Sequence, residues 1–255
     1  MKLTDKVAIV TGAAAGIGKA IATAFAHEGA HVILADVNGV GVQQVQQTLQ
    51  PQSPRSCSLQ VDVTKRSQVE AMVEKAVGLF GRVDILVNNA GGGGNVSGLM
   101  ISDEDWDRII ALNLKSQFLC CRAVVPLMER QGHGRIVNIS SNAGRYRSNV
   151  GTVGGIAYAA AKAGILQFTR STAYAVGRSG ITVNAIAPGS VLTDAGQREY
   201  HSLAPERRDR VIKETPLNRF AQPDEIAQIA VFLASDDASY VTGATILASG
   251  GWCSS

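Results

Sequence analysis

Two groups of residues in this chain have the types and spacing to do chemistry. The first is Thr11-Gly12-Ala13-Ala14-Ala15-Gly16-Ile17-Gly18, a GxxxGxG run directly after an apolar segment. Small residues let a backbone approach a pyrophosphate, and a helix opened by such a turn offers free N–H groups and a partial positive charge. Gly12, Ala14, Gly16, Ile17 and Gly18 are read as a nucleotide cradle, with a structural Gly/Ala-rich turn as the alternative. The run is not GxGxxG and lacks the Lys-Ser/Thr ending of a P-loop, which argues against ATP hydrolysis. Asp36 lies 18 residues past Gly18. A carboxylate about 20 residues past such a turn accepts hydrogen bonds from an adenosine ribose and repels a 2′-phosphate. No Lys or Arg occupies 13–16 or follows at Val37-Asn38. The residues therefore predict NAD, and the alternative for Asp36 is a solvated carboxylate at a strand end.

The second group centres on Tyr158 and Lys162, spaced i, i+4 so that both project from one helix face. Alone this pair is weak, because many helices contain one. Ser140-Ser141 ends a predicted strand, and Asn113 sits in the long helix before it. In a doubly wound sheet, strand ends and helix starts converge over the carboxyl edge, where ligands bind. A phenol, an ammonium and a hydroxyl meeting a nicotinamide there would suit hydride transfer between an alcohol and a carbonyl.

The elements that must position these groups follow from periodicity. Val7-Ala8-Ile9-Val10 is a continuous apolar run, as a buried parallel strand requires. Ile17, Ala20, Ile21, Ala24 and Phe25 then repeat at helical spacing, and Gly29 stops that helix. Further strands are predicted at His31–Ala35, Ser56–Val61, Asp84–Val87, Arg135–Ile139, Ile181–Ala187 and Ala244–Ala248. Helices are predicted at Val37–Gln50, Gln68–Phe80, Asp103–Arg130, Ala157–Val176 and Asp224–Ala234. This alternation predicts an α/β fold: a single-domain, Rossmann-type, doubly wound parallel sheet with helices on both faces. No linker, repeat or charge block divides residues 1–255.

Composition narrows the class. Hydrophobic residues are 45% of the 255, and charged residues 18% against a typical ~25%, which excludes a disordered chain. The 27 glycines have no period of three, so collagen is excluded. The net charge of +3 is small and no basic stripe is evident, so no nucleic-acid partner is expected. No uninterrupted apolar stretch reaches the ~18 residues of a membrane span. No membrane partner is expected, and the N-terminus does not read as a signal peptide. The chain is expected to be cytoplasmic. Cys57, Cys120, Cys121 and Cys253 have neither CxxC nor metal spacing. His27 and His31 are separated by Gly29-Ala30 and are poor ligands, so no metal is expected. His133, in a Gly-flanked turn, is read as solvated.

Seven ordered motifs resemble the short-chain dehydrogenase/reductase family over nearly the whole chain. They are TGAAAGIG (11–18), Asp62-Val63, NNAG (88–91), Asn113 in ALNLKS, ISS (139–141), YAAAK (158–162) and PGSVLT (188–193). The resemblance implies a nicotinamide-dependent oxidoreductase acting on a small-molecule secondary alcohol or ketone, commonly a homotetramer. It implies Tyr158 as general acid/base and Lys162 as the cation that favours its phenolate and holds the nicotinamide ribose. Ser141 would hydrogen-bond the substrate oxygen, with Ser140 as the alternative. Asn113 would hold a water behind Lys162. Asp62 and Val63 would contact adenine, Asn89, Ala90 and Gly91 the cofactor riboses, and Pro188, Gly189, Val191 and Thr193 the carboxamide. In the family the long helices pair across two-fold axes, and the segment after Ala244 joins a second interface.

Ser141 and Tyr158 are 17 residues apart, against about 13 commonly in the family. The extra length lies in Gly144–Gly155 and should border the substrate pocket. Arg145 or Arg147 could there bind an anionic substrate, whereas a neutral one would meet Val96, Leu99, Val150 and Val153. A lid is expected at about 192–220, whose segment Arg198–Arg219 holds six basic and four acidic residues. The leading reading is an NAD-dependent alcohol dehydrogenase or carbonyl reductase. One alternative is a 3-oxoacyl-carrier-protein reductase, a subgroup expected to prefer NADPH, which Asp36 opposes. Another is a non-catalytic NAD sensor or scaffold, against which the complete set Asn113, Ser141, Tyr158 and Lys162 speaks. A nucleotide-sugar epimerase would need a larger C-terminal region.

Overall fold

The fold is taken from a computed structural model, which describes residues 1–93, 98–146, 155–202 and 205–252. Seven strands form one parallel sheet: β1 (Val7–Thr11), β2 (His31–Asp36), β3 (Cys57–Gln60), β4 (Ile85–Asn88), β5 (Gly134–Ile139), β6 (Ile181–Pro188) and β7 (Thr245–Ala248). Their order is β3-β2-β1-β4-β5-β6-β7. The chain winds outward from β1 to β3, then returns to place β4 on the other side of β1. That reversal opens a crevice at the carboxyl ends of β1 and β4.

Both sheet faces are covered. Ala8 and Val10 of β1 pack in a core with Ile21 and Phe25 of α1 (Gly16–His27), Val45 of α2 (Gly39–Leu49), and residues of a C-terminal helix at Pro223–Ala234. Ile9, between them, points into a second core with Met72 of α3 (Arg66–Phe80) and Val124 of a later helix. Alternation in a strand buried on both faces is what makes its sequence uniformly apolar. Gly29, at φ 89°, follows the α1 C-cap residue Glu28 as expected.

The predicted helix Asp103–Arg130 is three pieces: α4 (Asp103–Ile110), a π-helical turn (Ala111–Lys115) and α5 (Ser116–Gln131). Ser102 caps it by accepting from the Asp105 N–H at 3.2 Å, and Asp103, Glu104 and Asp105 complement the helix dipole. By length and composition Asp103–Gln131 passes as a membrane-crossing helix, a possibility that a search for uninterrupted apolar runs misses. In the fold, Leu119, Cys120, Val124 and Met128 of α5 pack in the second core.

The remaining helices are α6 (Gly155–Val176), α7 (Asp194–Ser202), α8 (Pro205–Lys213) and α9 (Pro223–Ala234). The edges of several elements differ from expectation because side chains set them. Asn38 accepts from the Gly41 N–H at 3.0 Å and so starts α2 at Gly39 rather than Val37. Pro223 and a capping box between Gln222 and Glu225 start α9. His133 is half-buried rather than solvated, and burial lowers its pKa.

Candidate active site

The glycine-rich turn joins β1 to α1 at the crevice. Gly12 and Gly16 have φ of 66° and 54°, where only glycine is unstrained. A Cβ on Gly12 would lie 2.7 Å from Asn89 Nδ2, and one on Gly18 would lie 2.8 Å from the Gly12 carbonyl carbon. The α1 N-terminus has no side-chain cap and no acidic residue in its first turn. Its N–H groups are left to an anionic ligand, so the cradle fits a pyrophosphate. Ala14 and Ile17 pack against the core below the turn.

The exit of β4 braces this turn. Thr11 Oγ1 donates to the Val87 carbonyl at 3.2 Å and accepts from the N–H groups of Asn89 and Ala90 at 3.0 and 3.1 Å. Asn89 Nδ2 donates to the carbonyls of Thr11 and Gly12 at 3.0 and 3.1 Å. The amide group of Asn89 is thus engaged in holding the turn. Asp36, at the end of β2, accepts from the Ala14 N–H at 3.1 Å and the Asn38 N–H at 2.9 Å, one on each carboxylate oxygen. Each oxygen keeps acceptor capacity for a ligand hydroxyl. Asp62 accepts from both the N–H and the hydroxyl of Thr64, at 2.9 and 2.6 Å. Val63 is 4% exposed and its side chain packs in the second core, which leaves its backbone for a contact with a ligand.

Tyr158 and Lys162 share a face of α6, with the ammonium 5.3 Å from the phenol ring centroid. Lys162 is buried, and Nζ donates to the Ile139 carbonyl at 3.0 Å. Desolvation pulls its pKa down to about 8. Asn113 lies on the π-helical turn, fully buried. Its Oδ1 accepts from the Gly92 N–H at 3.1 Å, and its Nδ2 donates to the carbonyls of Gly92 and Ile109, both at 2.9 Å. A Cβ on Gly91 would stand 2.7 Å from Asn113 Oδ1 and 3.3 Å from Lys162 Nζ, so these three groups converge.

The two serines separate cleanly. Ser140 is buried and donates its hydroxyl to the Lys162 backbone carbonyl at 2.7 Å. Ser141 is half-exposed and caps the single turn Asn142–Gly144, accepting from the Ala143 N–H at 3.2 Å. Ser141, unlike Ser140, is partly exposed, and its hydroxyl donates to the Asn142 side-chain oxygen at 3.3 Å.

The β6 exit completes the rim. Gly189 N–H donates to the Ala248 carbonyl at 2.9 Å, and Val191 forms a parallel bridge with Ala221. Thr193 caps α7 by accepting from the Gly196 N–H at 2.9 Å, and a Cβ on Gly16 would be 3.1 Å from its methyl. Thr193 therefore faces the glycine-rich turn. Of the expected substrate contacts, Arg145 and Leu99 lie among the described residues. Arg145 is exposed and lies over its neighbour Tyr146, 5.5 Å from the ring centroid. Leu99 is 83% exposed. Val96, Arg147, Val150 and Val153 lie outside the described residues.

Sequence reasoning missed a buried polar ladder behind the site. Asn88 donates to Asn138 Oδ1, and Asn138 donates to Thr169 Oγ1, each at 2.9 Å. The available signal was an asparagine near the end of each of two otherwise apolar strands.

The family model described as enoyl-(acyl carrier protein) reductase matches residues 12–253. A 3-oxoacyl-[acyl-carrier-protein] reductase of Thermotoga maritima is 40% identical over 98% of this chain and 99% of its own. A (2S)-[(R)-hydroxy(phenyl)methyl]succinyl-CoA dehydrogenase subunit of Thauera aromatica is 37% identical, covering 98% of each. The solved 7α-hydroxysteroid dehydrogenase in complex with NADH and 7-oxoglycochenodeoxycholic acid is 37% identical, with a TM-score of 0.91 over 98% of this chain and 95% of that one. The chain belongs to the short-chain dehydrogenase/reductase family, a family of nicotinamide-dependent oxidoreductases, and has its doubly wound fold.

Proposed function

We propose that this protein is an NAD-dependent dehydrogenase or reductase of secondary alcohols and ketones. The observation that carries the choice of cofactor is Asp36. Its carboxylate is pinned at the lip of the glycine-rich turn by Ala14 and Asn38, where it accepts ribose hydroxyls and opposes a 2′-phosphate. A bound nicotinamide supplies the hydride acceptor or donor. Gly12, Gly16 and Gly18 admit the pyrophosphate, Asp62 and the Val63 backbone face the adenine, and Asn89, Ala90 and Gly91 border the riboses. Pro188, Gly189, Val191 and Thr193 position the carboxamide.

Tyr158 exchanges a proton with the substrate oxygen. A free phenol titrates near about 10, so it needs help to ionise at neutral pH. Lys162 gives that help as a cation 5.3 Å from the ring. Ser141 donates to the substrate oxygen, and Asn113 anchors the water path behind Lys162. The excursion at 192–220 acts as the substrate lid. A substrate anion, if the substrate carries one, would be met by Arg145, which is exposed beside the turn that Ser141 caps. Trp106, Phe118 and Tyr174 are exposed apolar groups on α4, α5 and α6, and they support self-association, which we take to be a homotetramer.

The names of the relatives favour a second reading, a reductase of 3-oxoacyl thioesters on a carrier protein. That reading also uses Tyr158, and differs in cofactor and substrate. Tyr158→Phe tests what both share. Turnover should fall by at least about a hundredfold while NAD affinity stays within about twofold. Near-normal turnover would remove Tyr158 from the proton transfer.

A further inference from the structure

Lys162 is gripped at two places by the end of one strand. Its ammonium donates to the Ile139 carbonyl at 3.0 Å. The next residue, Ser140, donates its hydroxyl to the backbone carbonyl of Lys162 at 2.7 Å. Lys162 lies inside α6, where its carbonyl already has a helical partner. The serine bond uses the second lone pair, so it is not needed to complete the helix. It locates the helix against β5. Ser140 is itself fixed, being 3% exposed with its N–H on the Ile186 carbonyl at 2.8 Å.

Gly144 closes on the same peptide from the loop side. A Cβ there would lie 2.5 Å from the Lys162 carbonyl carbon and 2.6 Å from the Ala163 nitrogen. Gly144 does not have a left-handed backbone, so the glycine is there for space. A strand end and a loop turn thus meet on one peptide of α6.

We infer that Ser140 and Gly144 are positioning residues that fix the Lys162 peptide and thereby aim its ammonium into the site. This rests on Lys162 acting there as proposed. The groups facing Nζ are the Tyr158 ring on α6, the Ile139 carbonyl on β5, Gly91 after β4, and Asn113 on the π-helical turn. Tyr158 is the ionisable one among them, and burial is what lowers the lysine. A helix released from Ser140 would let water reach Nζ, and solvation restores a lysine toward its ordinary range.

The test uses the full-length protein labelled with [ε-13C]lysine, titrated by NMR without cofactor or substrate. Lys162→Met assigns the resonance. In the wild type, Lys162 should titrate well below the other lysines. Ser140→Ala should move it clearly upward and lower kcat about tenfold or more, because a small misplacement of a catalytic group is costly. Gly144→Ala, pushing the peptide from the other side, should move it the same way. Ser140→Thr keeps the hydroxyl and should restore the wild-type titration. If Ser140→Ala does not fold, Gly144→Ala against Ser140→Thr gives the same comparison. A wild-type titration of Lys162 in the alanine variants would overturn the inference. Full turnover in Lys162→Met would instead overturn the role proposed for Lys162, while the cofactor-free titration would still report the grip.

Discussion

The two sides of the crevice are built differently. On the cofactor side, the exits of β1, β2 and β4 are locked by buried or half-buried bonds from Thr11, Asp36 and Asn89 to backbone groups of their neighbours. On the substrate side, the described part of the excursion between Val191 and Ala221 is tied by the Val191–Ala221 bridge and by the Leu217 N–H donating to the Gly250 carbonyl at 3.1 Å, and its ion pairs lie at the surface. Buried charge-assisted bonds hold geometry, whereas exposed pairs contribute little. The contrast is between a braced side that suits a constant cofactor and a surface excursion that suits a varying substrate.

The sharpest way to break this comparison is at Gly18. Its missing Cβ is replaced in space by the backbone carbonyl of Gly12, which cannot step aside. Gly18→Val should abolish cofactor binding, measured by calorimetry, or prevent folding. Retained NAD affinity would mean that the turn is not the rigid cradle described here.

Lys162 of α6, whose ammonium converges with Gly91 beyond the β4 exit, gives a pH-dependent test beside that side. Its folded pKa, about 8, lies below the ~10.4 of an unfolded lysine. Between those values the unfolded chain binds more protons, so stability rises as pH rises through that interval. The burial cost is fully present below about pH 8 and relieved above about pH 10.4. Urea unfolding should show this rise in the wild type, by up to roughly 3 kcal/mol relative to Lys162→Met. Parallel pH profiles for the two proteins would contradict a desolvated Lys162.

The smallest effect is expected on the substrate side. Arg219 forms a paired contact with Glu225, both N···O distances 2.7 Å, at the stem of the excursion. Arg219→Ala should change KM for the substrate by about threefold and leave KM for NAD and the melting temperature nearly unchanged. A large loss of NAD affinity would show that the two sides are not separable.

The same division explains what could be read from the sequence. The strands, the helices and the glycine-rich turn declare themselves through periodicity and local residue type. Asp36, Tyr158 and Lys162 stand at spacings that a strand end or a helix turn fixes. The grip of Ser140 on a peptide 22 residues away, and of Thr11 on one 78 residues away, carries no local signal. The π-helical turn under Asn113 keeps nearly helical periodicity and so reads as plain helix. The motif names Val63 as a position, and only packing shows that its side chain turns into the second core. Likewise, neither spacing nor charge foretells that Arg145 lies over Tyr146.

The central claim, an NAD enzyme selected by Asp36, is tested most directly by kcat/KM for NAD and NADP on one secondary alcohol drawn from a panel of alcohols and hydroxy acids. The measurement is made on the wild type and on Asp36→Ala. The wild type should favour NAD by at least about tenfold, and the variant should lose most of that preference through weaker use of NAD and better use of NADP. A wild-type enzyme with the higher kcat/KM for NADP would contradict the account.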